Sequence, residues 1–146
     1  MKLHSFRSMM SASAMALALL AGAPVAGVVG VAQAQTRTEI RIQTRLVGGA
    51  ISGVTPSGSA RFRSRGNASN FSVEVEDVNL ANGAVLTVSL LRGGMSIPAG
   101  TMTLTARLAE IDVNTNDGDV VPQAKSGDVV VVSDSTGRAL LSGVLR

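Results

Sequence analysis

The sequence predicts an all-β fold, an antiparallel β-sandwich of immunoglobulin-like or related topology with seven or eight strands, following an N-terminal signal peptide. Three observations support this class. Apolar and polar residues alternate with a period of two, and clusters of Gly, Asn, Asp and Pro interrupt the alternation about every ten residues. Helical periodicity is scarce after Gln35. A small β-barrel is the alternative architecture.

Residues 1–34 have the layout of a secretory signal peptide. A short basic stretch, residues 1–7, precedes an apolar run that begins at Met9, and Ala32 and Ala34 form an A-x-A pattern. Cleavage is therefore predicted after the second of these alanines, which leaves residues 35–146 as a single β-sandwich domain. The expected location is outside the cytoplasm, either periplasmic or extracellular.

A retained membrane anchor is the alternative for the leader, because its apolar run is long enough to cross a bilayer. The run is rich in Ala, Ser and Gly, however, and Pro24 interrupts it near the predicted cleavage region. We therefore expect no transmembrane segment after cleavage.

Charge and composition limit the possible partners. The whole chain has 13 basic and 10 acidic residues, and loss of Lys2 and Arg7 with the leader leaves 11 and 10. Nucleic-acid-binding domains usually concentrate far more basic charge, so no nucleic-acid partner is expected. A domain of this length can bury a core without disulfides, in agreement with the absence of Cys.

The strand predictions follow the alternation in chain order. The first segment places Ile40, Ile42 and Leu46 on one face and arginines on the other, and the segments around Phe62 and Phe71 read as a hairpin. The predicted segments are residues 38–46, 48–54 (short), 60–65, 71–76, 85–92, 95–96, 101–111, 129–132 and 139–145.

Turn residues separate the later strands. Gly93 and Gly94 predict a two-residue turn after residues 85–92, and Pro98 predicts another turn at residues 97–100. Residues 101–111 are predicted to be the longest strand, and residues 112–127 a polar loop. The inward-facing residues of that longest strand are expected to be Met102, Leu104, Ala106 and Leu108.

The composition argues against an enzyme. The only histidine, His4, lies in the predicted leader, which excludes histidine bases and histidine metal ligands from the mature domain. Lys125 is its only lysine, and no Ser-x-x-Lys motif includes it. Acid pairs could support glycoside hydrolysis, but the only mature aromatic residues, Phe62 and Phe71, are predicted to face the core. We expect no catalytic residues.

An acidic loop is one candidate site. Its alternating oxygen side chains resemble the start of an EF-hand or dockerin calcium loop, although Asp117 occupies the position of the usual glycine and Gln123 that of the final glutamate. A turn-rich loop whose side chains cap their own backbone is the alternative. The candidate Ca²⁺ ligands are Asp112, Asn114, Asn116, Asp117 and Asp119; no other cofactor is expected.

A group of arginines is the second candidate. If two of the predicted strands lie in one sheet, their guanidinium groups share a surface that could bind a polyanion or an acidic partner. Cross-strand ion pairs with Glu74 and Glu76 are the alternative explanation. The candidate residues are Arg41, Arg45, Arg61, Arg63 and Arg65.

Some segments resemble small exported bacterial β-sandwich proteins of uncharacterised function. The segments are Gly58-Ser59-Ala60-Arg61-Phe62, residues 71–76, residues 127–131 and Leu141-Ser142-Gly143. Residues 46–48 with 58–60 also resemble the chordin-type domain, but its His-rich segment is absent. Neither resemblance implies a catalytic or binding residue.

These observations predict a non-catalytic exported surface or envelope module that acts by protein or matrix interaction, in adhesion or assembly. The alternative is a calcium- or polyanion-binding β-sandwich protein. The expected partner is a protein or polysaccharide at the cell envelope. Homo-oligomer formation by edge-strand pairing is a further possibility, with the N-terminal strand as one route.

Overall fold

The computed structural model describes residues 37–146, and it shows one sheet of eight antiparallel strands. The predicted signal peptide, residues 1–34, lies outside these described residues. The strands are β1 (Glu39–Val47), β2 (Ser57–Arg65), β3 (Ala68–Glu76), β4 (Val85–Arg92), β5 (Met95–Thr103), β6 (Ala109–Asn114), β7 (Val129–Ser133) and β8 (Ala139–Val144), with a 3-10 turn at Thr115–Asp117. The prediction of an all-β fold with seven or eight strands is confirmed, and the number is eight.

The strand order is β5-β4-β7-β8-β1-β2-β3-β6, and every neighbouring pair is antiparallel. The sheet is nearly closed, since its two outer strands meet. A Cβ atom built on Gly100 of β5 would lie 2.3 Å from Cδ1 of Ile111 on β6. No helix within the described range is long and apolar enough to cross a membrane.

A narrow seam divides the sheet into two groups of four strands. β1 pairs with β2 along its whole length, but its ladder with β8 contains only Val47 opposite Ser142. Gln43 and Arg146 extend the seam by exchanging backbone hydrogen bonds of 3.0 and 3.2 Å. We call β1, β2, β3 and β6 the charged half and β4, β5, β7 and β8 the neutral half, after their side chains.

Glycine permits the close approach at this seam. A Cβ atom on Gly48 would lie 1.8 Å from the carbonyl oxygen of Leu140, and one on Gly143 would lie 2.4 Å from that of Arg45. Side chains at these two positions would collide with backbone, so the seam can close only where none is present.

Both halves contribute alternate side chains to one core. In the charged half, Phe62 lies opposite Phe71 and both are buried. In the neutral half, Leu86, Val88 and Leu90 are fully buried on β4. The two-residue alternation thus placed these core faces correctly, although Ile40, at the start of β1, is 48% exposed.

Residues 48–54 do not form the predicted short strand. Ile51 and Val54 make an isolated bridge across a turn, with backbone hydrogen bonds of 2.7 and 3.1 Å. Ser52 and Gly53 both have positive φ, at 48° and 83°, which turns the chain too sharply for extended pairing.

The predicted turn at residues 97–100 is also wrong, because this segment belongs to β5. Gly93 and Gly94 do form the predicted tight turn, with φ of 55° and 82°, and β5 then runs back along β4. The ladder accommodates Pro98 because β5 is an outer strand and its register shifts between Val88 and Ser89.

The predicted long strand, residues 101–111, is two strands separated by a turn. Ala106 and Arg107 have φ of 49° and 67°, and Thr105 and Leu108 exchange backbone hydrogen bonds of 2.8 and 2.9 Å. Asn82 supports the turn by accepting the Ala106 N–H at 2.9 Å. Consequently Ala106 and Leu108 are exposed, not inward-facing as predicted.

The N-terminal strand is not a sheet edge. β1 lies between β8 and β2, and the outer strands of the sheet are β5 and β6, which meet one another. This corrects the expectation that the N-terminal strand offers such an edge.

Candidate functional site

The five predicted arginines lie together on the outer face of two neighbouring strands. Arg41 of β1 is directly opposite Arg63 of β2, and Gln43 is opposite Arg61. The same alternation that buries Phe62 turns the arginines outward. We call this surface the arginine face: Arg41, Arg45, Arg61, Arg63 and Arg65.

A single carboxylate lies close to two of these guanidinium groups. Nε of Arg41 donates to Oε1 of Glu39 at 2.7 Å, and Nη2 of Arg63 is 3.9 Å from the same oxygen. The hydrogen bond from Arg41 lowers the pKa of the Glu39 carboxyl below its ordinary value. Within the part of the chain that the structure describes, no carboxylate lies within 4.0 Å of the guanidinium groups of Arg45, Arg61 or Arg65.

The register between β2 and β3 does not place Glu74 and Glu76 opposite arginines, as the alternative explanation by cross-strand ion pairs requires. Glu74 lies opposite Ser59 and Glu76 opposite Ser57. The arginines of β2 face uncharged partners on β3, since Arg61 is opposite Ser72 and Arg63 is opposite Asn70. In residues 37–146 neither glutamate pairs with an arginine, so ion pairing with β3 does not account for the arginine face.

A groove runs between the arginines. A cavity of about 500 Å³ is lined by Arg41, Arg61, Arg63 and Arg146, with Gln43, Ile42 and Phe62 completing its walls. The sequence reasoning missed Arg146, which reaches this groove because its backbone pairs with Gln43. The two-residue alternation of the C-terminal segment could have indicated this only if its pairing with β1 had been known, and that pairing was not predicted.

An acidic stripe lies beside the arginine face on the same outer surface. Glu74 of β3 is directly opposite Glu110 of β6, and Ser72 is opposite Asp112, whose carboxylate accepts a hydrogen bond from Asn70 Nδ2. Across the described ranges, no basic side chain lies within 4.0 Å of the Glu74 or Glu110 carboxylates. We define the acidic stripe as Glu74, Glu76, Glu110 and Asp112.

The predicted calcium ligands are partly occupied by local hydrogen bonds. Asn114 Oδ1 accepts the N–H of Asn116 at 3.0 Å, and Asp119 Oδ2 accepts the N–H of Asn114 at 3.1 Å. Asp112 lies within β6 and Asp117 in the 3-10 turn. Among residues 37–146, no three acidic, His or Cys side chains are grouped as metal ligands. Calcium binding at this loop stays a prediction.

An ion pair between partly exposed Arg92 and buried Asp128, at the end of the neutral half, was not predicted. Arg92 donates from Nε and Nη2 to the two oxygens of Asp128 at 2.8 and 2.6 Å, and the Lys125 N–H donates to Asp128 at 2.8 Å. Arg92 also donates to the Gln123 carbonyl at 2.7 Å. The hydrogen bond from Arg92 lowers the pKa of Asp128, which is buried. This pair fixes the loop before β7.

Comparison with known proteins adds no family. No protein-family model matches the sequence, and no match was found among curated proteins.

Proposed function

We propose that this protein is a non-catalytic exported module that acts by binding, and that the arginine face binds an acidic polysaccharide at the cell envelope. The observation that carries this proposal is that the guanidinium groups of Arg45, Arg61 and Arg65 have no carboxylate within 4.0 Å in the described part of the chain. Arginine pairs bidentately with carboxylate and sulfate-like oxygens, so these groups are suited to an external anion.

The shape of the surface supports the same partner. Guanidinium groups two residues apart on β2 are separated by about 6–7 Å of strand, so a linear chain with repeated negative charges can contact several at once. A groove of about 500 Å³ is lined by Arg41, Arg61, Arg63 and Arg146. It would let one part of such a chain sit below the level of the surrounding surface.

The absence of catalysis and the route of export belong to the same proposal. Residues 35–146 contain no His or Cys, and Lys125 is their only lysine, which leaves little nucleophile or base chemistry. We propose that residues 1–34 direct export, and that the charged and neutral halves form the two layers of a sandwich. The narrow β1–β8 seam supports this two-layer arrangement.

Retention on heparin, a sulfated polysaccharide, tests the proposal. We expect the protein purified from expression of the full chain to elute at higher salt than the variant Arg61→Ser/Arg63→Ser/Arg65→Ser. The matched control, Arg107→Ser/Lys125→Ser/Arg138→Ser, removes the same charge elsewhere and should elute near the wild type. Equal retention of the arginine-face variant and the wild type would refute the proposal, as would an equal loss in the control.

A further inference from the structure

The outer face of the charged half carries two parallel bands of opposite charge. The arginine face occupies β1 and β2, and the acidic stripe occupies β3 and β6, which follow in sheet order. Uncharged residues separate the bands, since Ser72 and Asn70 of β3 lie opposite Arg61 and Arg63. In residues 37–146 no ion pair of 4.0 Å or less joins the two bands, although Arg45 lines a small cavity with Glu74 and Glu76.

Each band contains like charges in direct opposition. Arg41 lies opposite Arg63, and Glu74 lies opposite Glu110. Like charges directly across a ladder destabilise a sheet, and among the described residues only the arginine pair has a counter-charge within 4.0 Å, Glu39. A second surface with the same two bands in reverse order would relieve both oppositions.

A second copy of this chain is such a surface. A two-fold axis parallel to the strands, between β2 and β3, exchanges the two bands when two copies face one another. The arginine face of each copy then lies over the acidic stripe of the other. An axis perpendicular to the strands would instead place like charges together, so charge complementarity selects a single arrangement.

We propose that two copies of this chain associate through the arginine face and the acidic stripe, in the two-fold arrangement that pairs opposite bands. Across it the five arginines of one copy face the four acids of the other, while Glu39 stays beside Arg41 and Arg63 of its own copy. The proposal is independent of polysaccharide binding, but both use the same arginines, so a polyanion would compete with the dimer.

Sedimentation velocity with charge-swapped variants tests the dimer. We expect the wild type to be dimeric at about 10 mM salt, where charges act over about 30 Å, and monomeric near 1 M, where they act over about 3 Å. Arg61→Glu/Arg63→Glu lowers the formal charge of the arginine face from +5 to +1, and Glu74→Arg/Glu110→Arg raises that of the acidic stripe from −4 to 0. Each variant alone should associate at least about tenfold more weakly, and an equimolar mixture should restore a dimer containing one copy of each.

Two controls separate specific pairing from general charge attraction. Arg107→Glu/Lys125→Glu changes net charge as much as Arg61→Glu/Arg63→Glu and should dimerise like the wild type. Mixed with Glu74→Arg/Glu110→Arg, it should form less mixed dimer than the complementary pair does. Circular dichroism of each variant checks that it is folded.

Three results would overturn the dimer: a wild type that is monomeric at low salt, folded swap variants that still dimerise alone, or a complementary mixture no stronger than the control mixture. The heparin experiment distinguishes this failure from that of the proposed function. A monomer retained on heparin through Arg61, Arg63 and Arg65 contradicts the dimer alone, whereas a salt-sensitive dimer without heparin retention contradicts only polysaccharide binding.

Discussion

The strands of the charged half contain ten charged residues, whereas Arg92 is the only one in the four strands of the neutral half. The inner faces of both halves are nevertheless alike, with Val, Leu and Phe buried at alternate positions. The outer face of the neutral half is built from residues such as Val85, Thr87 and Ser89. The neutral half thus forms with a single charged residue in its strands, so the ten charges of the charged half are not a general requirement of such a half.

The placement of the ion pairs sharpens this contrast. The neutral half has its one arginine in a bidentate pair with buried Asp128, where it holds a loop. In the charged half Arg45, Arg61 and Arg65 have no such partner within residues 37–146. Charge therefore holds a loop in the neutral half, whereas three guanidinium groups of the charged half lack a nearby carboxylate, as the proposed binding role requires.

The seam that joins the halves should give the largest stability effect. In Gly48→Ala the new Cβ would lie 1.8 Å from the Leu140 carbonyl oxygen, so backbone must move, and we expect a loss of about 3 kcal/mol in the free energy of unfolding. Gly49→Ala is the control, because its Cβ meets nothing within 4 Å. Guanidinium chloride unfolding measures both. Equal stabilities of the two variants would contradict the tight seam.

Loss of the Arg92–Asp128 ion pair in the neutral half should have the second-largest effect on stability. Asp128→Asn removes the carboxylate that Arg92 binds, and we expect a loss of about 2–3 kcal/mol, because Arg92 stays partly hydrated and limits the cost. Asp117→Asn, in the exposed 3-10 turn, is the control and should change stability by less than about 0.5 kcal/mol. Chemical unfolding at neutral pH compares them.

The Arg92–Asp128 ion pair should also make the free energy of unfolding depend on pH. The folded-state pKa of Asp128 is below its ordinary value of 3.8, so its stabilisation is complete above pH 3.8 and is lost as pH falls through the lowered pKa. The stability difference between wild type and Asp128→Asn should therefore narrow in acid. A difference that is unchanged at about pH 2 would show that the ion pair is not its source.

Removal of the arginine face should have the smallest effect on stability. Arg61→Ser/Arg63→Ser/Arg65→Ser deletes exposed groups, one of which also opposes Arg41, and we expect the free energy of unfolding to change by less than about 1 kcal/mol. Thermal melting together with heparin elution measures the two consequences. A stable variant that binds heparin poorly is the result expected if these arginines serve binding and not folding. A strongly destabilised variant would show that they have a structural role.

Much of the fold follows from the sequence because its information is local. β4 was predicted with its observed bounds, and the two-residue period identified the buried residues of β2 and β3. The turn at Ala106 and Arg107 was missed because neither Gly nor Asn marks its positive φ values; Asn82, distant in sequence, supports it. Pro98 was misread because a proline is a turn signal in an interior strand but is tolerated at an edge.

The site was predictable only in part. Alternation alone placed the five arginines on outward faces, but the register that sets Arg41 opposite Arg63, and Glu74 opposite Ser59, is a long-range property. Arg146 and the Arg92–Asp128 pair likewise depend on contacts between distant segments. No local pattern contains this information.

The most direct test of the central claim is to map where a polyanion binds. Backbone amide chemical shifts would be recorded during titration of the purified protein with a heparin-derived hexasaccharide. Shifts centred on β1 and β2, with β4, β5 and β7 unaffected, are the result expected if the arginine face is the binding surface. Shifts concentrated on the neutral half, or none at saturating hexasaccharide, would contradict it.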